Sequence, residues 1–316
     1  MTKEMNSDSK ESLGKKLGHI LIPLATPFKD DEYQDVDYDA VGPLVNHVIE
    51  NKLCDSLVVA GTSGEFNAMT VEERFELFKA VKEAAAGRVP LVAGACAGST
   101  RDAILLAKKA EELEFDAIMV VGPYYCRTTQ EGIYQHFASV AKATTLPVML
   151  YNIPIFTGTN VEKETVARLA KDFSNIVGIK DEAGINPTQM TEFARVTPEG
   201  FTIYNGDDIM VLCGMIQGAA GVVSGASHVV GHKIREMIES FLAGDLLGAR
   251  KIHMELDPFF KAFGSNDRIN GIPLWKAALN LCGLKVGPPR LPLVRATDEE
   301  IEIMRSHLVR MGILEQ

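Results

Sequence analysis

The sequence predicts an α/β fold, namely a (β/α)8 barrel with a C-terminal helical extension. From His19 onward, short apolar runs alternate with longer amphipathic stretches, a rhythm typical of parallel strands covered by helices. The strand candidates number eight, and runs such as LVAG and AIMVV are apolar throughout, as in strands buried on both faces. The open doubly wound sheet is the competing fold, but no G-x-G-x-x-G follows the first strand. The closed barrel is therefore favoured.

The 316 residues divide into three predicted parts. Residues 1–15 are polar and predict a flexible tail, residues 16–230 the catalytic barrel, and residues 231–316 the helical extension. The predicted strands are His19–Ala25, Ser56–Val59, Pro90–Gly94, Ala117–Val121, Pro147–Tyr151, Ile176–Ile179, Thr202–Tyr204 and Gly221–Ser224.

Helix starts are marked by capping residues. Thr70 with Glu73 and Thr297 with Glu300 have the spacing of capping boxes, and Ser99 precedes a third amphipathic run. In the extension, residues 233–262, 273–281 and 298–311 have helical patterns. This extension could pad the barrel or form an oligomer interface.

Composition excludes several classes of function. Hydrophobic residues make up 46% of the chain and charged residues 23%, which is the balance of a globular protein with a large core. The formal net charge of −10, without a basic run, argues against a nucleic-acid partner. No apolar run approaches the ~20 residues of a membrane helix, so we expect no membrane partner. The five cysteines are scattered without ligand spacing, which predicts a reduced, cytoplasmic protein and no metal site.

Active sites of such barrels lie at the C-terminal ends of the strands, and two residues there can carry chemistry. Lys180 ends the sixth strand: its ammonium could reach solvent, or it could point into the barrel mouth, where desolvation favours the neutral, nucleophilic amine. Tyr151 ends the fifth strand and could be a packing residue or, facing Lys180, a proton-transfer group.

Glycine-bearing loops follow the other strands. In Gly61-Thr62-Ser63-Gly64-Glu65 the backbone N–H groups and the Thr62 and Ser63 hydroxyls suit a carboxylate, although the loop taken alone favours a plain turn. Tyr124 and Tyr125 could be packing residues. Asn205-Gly206-Asp207-Asp208 and the loop at Gly225 could hold a phosphate or only turn the chain, and turning is favoured because neither adjoins a basic residue.

These motifs resemble the dihydrodipicolinate synthase and N-acetylneuraminate lyase family of pyruvate-dependent class I lyases. The matching segments are GTSGE at 61–65, GPYY at 122–125, YNIP at 151–154, GIKDEAG at 178–184 and NGDD at 205–208. The resemblance implies that Lys180 forms a Schiff base with pyruvate, that Tyr151 transfers protons, and that Thr62 and Ser63 hold the carboxylate. It also implies a homotetramer or homodimer in which Tyr125 reaches a neighbouring subunit's site.

The family mechanism needs no metal or organic cofactor, because the iminium is itself the electron sink. The catalytic residues expected from it are Lys180, Tyr151, Thr62 and Tyr125. The residues expected to bind substrate are Thr62, Ser63, Gly61, Tyr124, Phe156, Gly206 and Val223.

In this family, the enamine that pyruvate forms adds to an aldehyde, and the identity of that aldehyde depends on other residues of the site. Synthases that condense pyruvate with aspartate semialdehyde resemble YNxPxRTG, whose arginine grips a second carboxylate, whereas this chain has Phe156 there. The sequence therefore predicts reversible aldol cleavage of a 2-keto-3-deoxy sugar acid or a related 4-hydroxy-2-oxo acid. The alternative is 4-hydroxy-tetrahydrodipicolinate synthase of lysine biosynthesis, with another basic residue such as Arg127 replacing the arginine.

Two further classes are weighed against the Schiff-base lyase. A phosphate-binding or metal-dependent barrel would use the loops at Gly206 and Gly225 with Asp207 and Asp208, but it leaves Lys180 and Tyr151 without roles. A pyruvate-sensing or scaffold protein would bind its ligand without turnover, yet the predicted catalytic pair is present.

Overall fold

The computed structural model describes residues 12–182 and 188–315. These residues form a closed barrel of eight parallel strands, which confirms the predicted fold class. The strands are β1 (Ile20–Pro23), β2 (Ser56–Val59), β3 (Leu91–Gly94), β4 (Ala117–Val121), β5 (Val148–Asn152), β6 (Ile176–Asp181), β7 (Thr202–Asn205) and β8 (Gly221–Val223). Each overlaps its predicted range, and β2 and β4 match it residue for residue.

Strand order in the barrel follows chain order, and β1 closes on β8 through the pair Ile20 and Val222. Nearly every strand residue is buried, since side chains point either into the barrel or under the surrounding helices. Close packing fixes some glycines: a Cβ on Gly94 would lie 2.1 Å from the Ala60 carbonyl oxygen.

Within the described residues, thirteen α-helices accompany the strands. They are α1 (Leu13–Leu17), α2 (Tyr38–Glu50), α3 (Val71–Ala85), α4 (Thr100–Glu112), α5 (Gln130–Lys142), α6 (Pro154–Thr157), α7 (Lys163–Asp172), α8 (Gln189–Val196), α9 (Val211–Ile216), α10 (Ser227–Leu242), α11 (Leu246–Ala262), α12 (Ile272–Leu281) and α13 (Asp298–Arg310).

The capping residues act as predicted. Thr70 and Thr297 each accept a hydrogen bond from the backbone of the glutamate three residues later, and each glutamate bonds back, so both capping boxes are present. Ser99 accepts from the Asp102 N–H at the start of α4.

Helices run across both of the predicted boundaries between parts of the chain. Residues 1–11 of the predicted tail lie outside the described residues, but its end is helical: Ser12 caps α1, which buries Leu13 and Leu17 against the barrel. The predicted boundary at residue 230 falls inside α10, the helix that follows β8. The single helical range 233–262 is two helices, because Gly244 has a φ of 84° and reverses the chain.

The extension pads the barrel. Apolar side chains of α10 to α13 form one cluster with Ile20 of β1 and Val222 of β8. Its loop between α11 and α12 reaches over the C-terminal ends of the strands and contributes to the cavity there. Among the helices of residues 12–182 and 188–315, none has the length and apolarity needed to cross a membrane.

Candidate active site

A cavity of about 530 Å³ opens at the C-terminal ends of the strands. Most of the predicted site residues meet there, as expected for this barrel. Those lining it are Thr62, Ser63, Tyr151, Phe156, Lys180, Gly206 and Val223.

Lys180 sits inside the cavity and not in bulk solvent. It lies on β6 opposite Tyr151 of β5 and Tyr204 of β7, and only 4% of its surface is exposed. Its Nζ lies 4.0 Å from the centroid of the Tyr151 ring. The amine is therefore held next to the tyrosine at the point where a ligand in the cavity would meet it.

Tyr151 is fully buried, and its hydroxyl is held from two sides. It donates to Glu182 Oε2 at 2.9 Å and lies 3.2 Å from Thr62 Oγ1. Burial, followed by the negative charge of Glu182, raises the pKa of Tyr151 well above its ordinary value. The residue is therefore a neutral phenol that can pass a proton along its hydrogen bonds.

Glu182 also lines the cavity, although it was not among the predicted site residues; it lies in the GIKDEAG segment. Its Oε2 lies 3.0 Å from Lys180 Nζ, and this side chain is one-quarter exposed, toward the cavity. Strand alternation provides the missing signal, since residues two apart project from the same face. Asp181, between them, points outward and accepts hydrogen bonds from Asn152 and Gln189.

The loop after β2 presents two kinds of donor. The Thr62 and Ser63 side chains line the cavity, and neither backbone N–H has an acceptor within the part of the chain that the structure describes. Such N–H groups beside hydroxyls suit a carboxylate. Gly61 is buried but does not line the cavity, and Glu65 turns away from it to pair with Lys276.

Acidic side chains line the wall of the cavity formed by the loop after β7. Burial raises the pKa of Asp207, and it raises that of Asp208 to about 6. The Asp208 carboxylate accepts the Ala226 N–H at 2.9 Å. Across residues 12–182 and 188–315, no three His, Cys, Asp or Glu side chains come together in a group suited to a metal ion.

Phe156 lines the cavity on α6 and is 42% exposed. Arg127 does not line this cavity; its side chain lies beside Gly158, where an added Cβ would be 3.6 Å from the Arg127 Nε. Arg268 does line the cavity, but its guanidinium is engaged by Glu300 at 2.6 and 2.9 Å. Arg127 therefore does not line the cavity, and the guanidinium of Arg268 is already paired with Glu300.

The two predicted tyrosines of the GPYY segment lie outside this cavity. Tyr124 packs edge-on against Phe66 and lines a neighbouring cavity of about 240 Å³, which shares Thr62, Phe156 and Asn270 with the first. Tyr125 is 98% exposed, with a φ of 72°. Its predicted reach into a neighbouring subunit stays a prediction, because it concerns a second chain.

The extension supplies a wall that the sequence analysis did not anticipate. Trp275 of α12 and Arg268 line the cavity together with Phe263. Trp275 also packs over Gly225, where an added Cβ would lie 2.7 Å from its ring. No local pattern links residue 275 to the strand ends, so only the folded chain reveals this contact.

Comparisons with known proteins agree with this geometry. A model of the Dihydrodipicolinate synthetase family matches residues 16–310. The chain is 44% identical over 297 residues to a 4-hydroxy-tetrahydrodipicolinate synthase of Desulforamulus reducens, covering 94% of this chain and 98% of that protein.

Solved structures give the same result. A crystal structure of DHDPS from Cyanidioschyzon merolae with lysine bound is 40% identical, has a TM-score of 0.89, and covers 94% of this chain and 99% of that one. YagE, a prophage protein of E. coli K12 solved in complex with pyruvate, is 25% identical with a TM-score of 0.86, covering 94% of this chain and 99% of that one. On the extent of these matches, the chain belongs to the dihydrodipicolinate synthetase family and is a carbon–carbon lyase.

Proposed function

We propose that Lys180 forms a Schiff base with a 2-oxo acid, above all pyruvate, and that the resulting enamine makes or breaks a carbon–carbon bond. One observation carries the proposal: the buried Lys180 amine and the Tyr151 hydroxyl, which is bonded to Thr62, meet in one cavity. The pyruvate complex of YagE supports pyruvate as the ligand.

Each group has a role that its position supports. The Thr62 and Ser63 N–H groups and hydroxyls hold the pyruvate carboxylate, which places C2 before the Lys180 amine. The amine adds to C2, water leaves, and the iminium acidifies the hydrogens on C3. Tyr151 transfers protons during these steps. We expect no metal or organic cofactor to be needed, because the iminium accepts the electron pair.

The relatives' names favour aspartate semialdehyde as the partner of the enamine. Relatives that are 45% and 40% identical carry the name 4-hydroxy-tetrahydrodipicolinate synthase, as does the one from Desulforamulus reducens. They support the synthase better than the sugar-acid aldolase that the sequence analysis ranks first. We therefore propose the synthase reaction as the first candidate.

One feature of the site favours the aldolase as a second candidate. Phe156 offers no charge for a second carboxylate, and Glu182, Asp207 and Asp208 line the same cavity. Carboxylates accept hydrogen bonds from hydroxyl groups and repel anions. A hydroxylated aldehyde without a carboxylate is compatible with such a wall.

The chemistry is tested by incubating the protein with pyruvate and sodium borohydride, digesting it, and locating the added mass. A reduced pyruvate adduct on Lys180 is the expected result. Folded protein that gives no adduct with excess pyruvate would overturn the Schiff-base proposal.

The acceptor is tested in parallel assays. One supplies pyruvate with aspartate semialdehyde, and the other follows pyruvate release from 2-keto-3-deoxy sugar acids. In the synthase assay, F156R should raise kcat/KM if the second carboxylate lacks a cation, by about 10-fold or more for a charge-assisted hydrogen bond. Turnover of the sugar acids alone would instead select the aldolase.

We also propose a cytoplasmic homo-oligomer in which Tyr125 enters a partner's site. The exposed Tyr125 ring and the five free cysteines support this setting. Sedimentation should give a dimer or tetramer. Mixing inactive K180M with inactive Y125F should restore activity, because one mixed interface then holds both native residues.

A further inference from the structure

Glu182 lies between Lys180 and Tyr151 in the cavity. A single oxygen of its carboxylate, Oε2, lies 3.0 Å from Lys180 Nζ and 2.9 Å from the Tyr151 hydroxyl that donates to it. The carboxylate therefore contacts both groups that the proposed reaction uses.

The absence of a side chain at Gly206 leaves space for the Lys180 and Glu182 side chains. A Cβ on Gly206 would lie 2.7 Å from Lys180 Cε and 2.9 Å from Glu182 Oε2, so a side chain there would collide with both partners. The Glu182 backbone is held as well, since its N–H donates to the Asn152 carbonyl at 2.9 Å. The carboxylate is thus positioned by backbone bonds and packing, as a proton-transfer group requires.

The Glu182 carboxylate gives Tyr151 a partner to which a proton can pass. Burial and the neighbouring negative charge raise the pKa of the Tyr151 phenol, which makes a free phenolate costly. A proton reaching the tyrosine oxygen therefore needs an onward acceptor. The hydrogen bond at 2.9 Å leads to Glu182.

We propose that Glu182 is a catalytic residue, the group that stores and returns the proton exchanged among Lys180, Tyr151 and the substrate. This inference rests on the proposed Schiff-base function.

In the first step, Glu182 takes one proton from the Lys180 ammonium, and the neutral amine forms the C–N bond to C2 of pyruvate. The new alkoxide oxygen takes one proton from the attached nitrogen, and the stored proton returns through the Tyr151 hydroxyl to the resulting carbinolamine hydroxyl, so that the C–O bond breaks as water leaves. Of the three protons on the ammonium, two depart in the water and one stays on the iminium nitrogen. Glu182 ends this step ionised.

In the second step, the C3–H bond of the iminium breaks and its electron pair forms the C2–C3 double bond. The pair of the C–N double bond moves to nitrogen and neutralises it. The released proton goes to the Tyr151 oxygen while the tyrosine's own proton passes to Glu182. The products are the neutral enamine and a protonated Glu182.

The test uses exchange of pyruvate methyl hydrogens in deuterium oxide, followed by proton NMR. This exchange reports enamine formation without any acceptor aldehyde. It is expressed per iminium trapped with borohydride on the same sample, so a change in adduct formation is separated from a change in proton transfer. E182Q keeps the shape of the side chain but cannot accept the proton.

We expect E182Q to form the Lys180 adduct more slowly but still to reach it, and to lose exchange per adduct by about 100-fold or more, the scale of general acid–base catalysis. The matched control is E236Q, whose surface partner Lys233 lies 3.2 Å away with both side chains at least 40% exposed. E236Q should exchange at the unaltered rate. E182A supplies a second readout, because added formate should restore part of its exchange.

Exchange in E182Q within about threefold of the unaltered protein would overturn the inference, as would an E182A rate that formate does not change. These results differ from failure of the proposed function. In that case the unaltered protein itself would form no adduct on Lys180.

Discussion

Among the residues that the structure describes, two Lys–Glu ion pairs have a buried lysine, and they lie in different surroundings. Lys180 and Glu182 are 3.0 Å apart at the cavity, with side chains 5% and 25% exposed. Lys276 and Glu65 are 2.7 Å apart, with both side chains 1% exposed. The same two side-chain types thus face a ligand space in one place and are sealed in the other.

The Lys276–Glu65 pair, the sealed pair, is surrounded by hydrogen-bonding and aromatic groups of the protein. Lys276 also donates to the Pro288 carbonyl at 2.9 Å and lies 4.1 Å from the centroid of the Phe28 ring, while Glu65 accepts the Arg290 N–H at 2.8 Å. Burial lowers the pKa of Lys276 to about 8 and raises the pKa of Glu65. This pair ties the loop that carries Thr62 and Ser63 to α12.

The Lys180–Glu182 pair at the cavity, the open pair, has a different set of neighbours. Glu182 bonds the Tyr151 hydroxyl, and the cavity lies beside it. Lys180 and Tyr151 therefore face a space that a ligand can enter, whereas the 1% exposed Lys276 side chain contacts Glu65, the Pro288 carbonyl and the Phe28 ring. Both pairs consist of a lysine and a glutamate, so the ion pair itself does not distinguish them. They differ in whether a ligand can reach the side chains and in which groups surround them.

The largest expected effect is on the open pair. K180M should lower kcat by at least about 10⁴-fold, the scale seen when an enzyme loses its nucleophile. It should leave the unfolding free energy nearly unchanged, since Glu182 is one-quarter exposed and keeps its bond from Tyr151. A pyruvate turnover assay measures kcat, urea denaturation measures the unfolding free energy, and borohydride trapping shows whether any other lysine forms an adduct. If K180M lost much of its stability and still formed a pyruvate adduct on another lysine, the proposed difference between the two pairs would be wrong.

The sealed pair should show the opposite pattern. K276M should lower the unfolding free energy by about 3 to 5 kcal/mol, because it leaves the Glu65 carboxylate buried without its counter-ion. The double variant E65Q/K276M should recover part of that loss. K233M, at the exposed pair with Glu236, should change stability by less than about 1 kcal/mol. The folded fraction of K276M should still form the adduct on Lys180.

The sealed pair should also have its own pH dependence. The folded-state pKa of Lys276, about 8, lies below the ordinary value of 10.5. Between these values the unfolded chain keeps a proton that the folded chain has lost, so stability rises with pH in this window. The difference in unfolding free energy between the unaltered protein and K276M should therefore grow in favour of the unaltered protein by about 2 to 3 kcal/mol from pH 8 to pH 10.5. A constant difference, measured by urea denaturation, would contradict this.

The fold and the centre of the site follow from local sequence patterns. Strands buried on both faces are apolar throughout, so all eight strands were predictable, and the residue closing each strand must lie at the barrel mouth. Lys180, Tyr151 and Thr62 met in the cavity for that reason. The pattern could not decide whether Lys180 is exposed, because burial depends on the walls that other segments add.

What the sequence did not predict depends on contacts between distant segments. Trp275 joins the cavity only because the extension folds back over the strand ends. Glu65 belongs to the same short motif as Thr62 but turns to Lys276, more than two hundred residues away. Tyr124 packs against Phe66 in the next cavity, a side-chain direction that no spacing rule gives. Glu182 alone was within reach, through strand alternation from Lys180.

The smallest expected effect tests how closely the open pair is fitted. In G206A, the new methyl group would press on Lys180 Cε and Glu182 Oε2, while the sealed pair is untouched. Overpacking of this kind costs about 1 to 3 kcal/mol, and if this cost falls on the geometry needed for attack, adduct formation should slow by about 5- to 150-fold. G42A is the matched control, because nothing lies within 4 Å of its added Cβ in α2, and alanine there favours the helix. If G206A traps pyruvate at the unaltered rate, Lys180 and Glu182 tolerate displacement, and the catalytic role inferred from their shared geometry loses its structural basis.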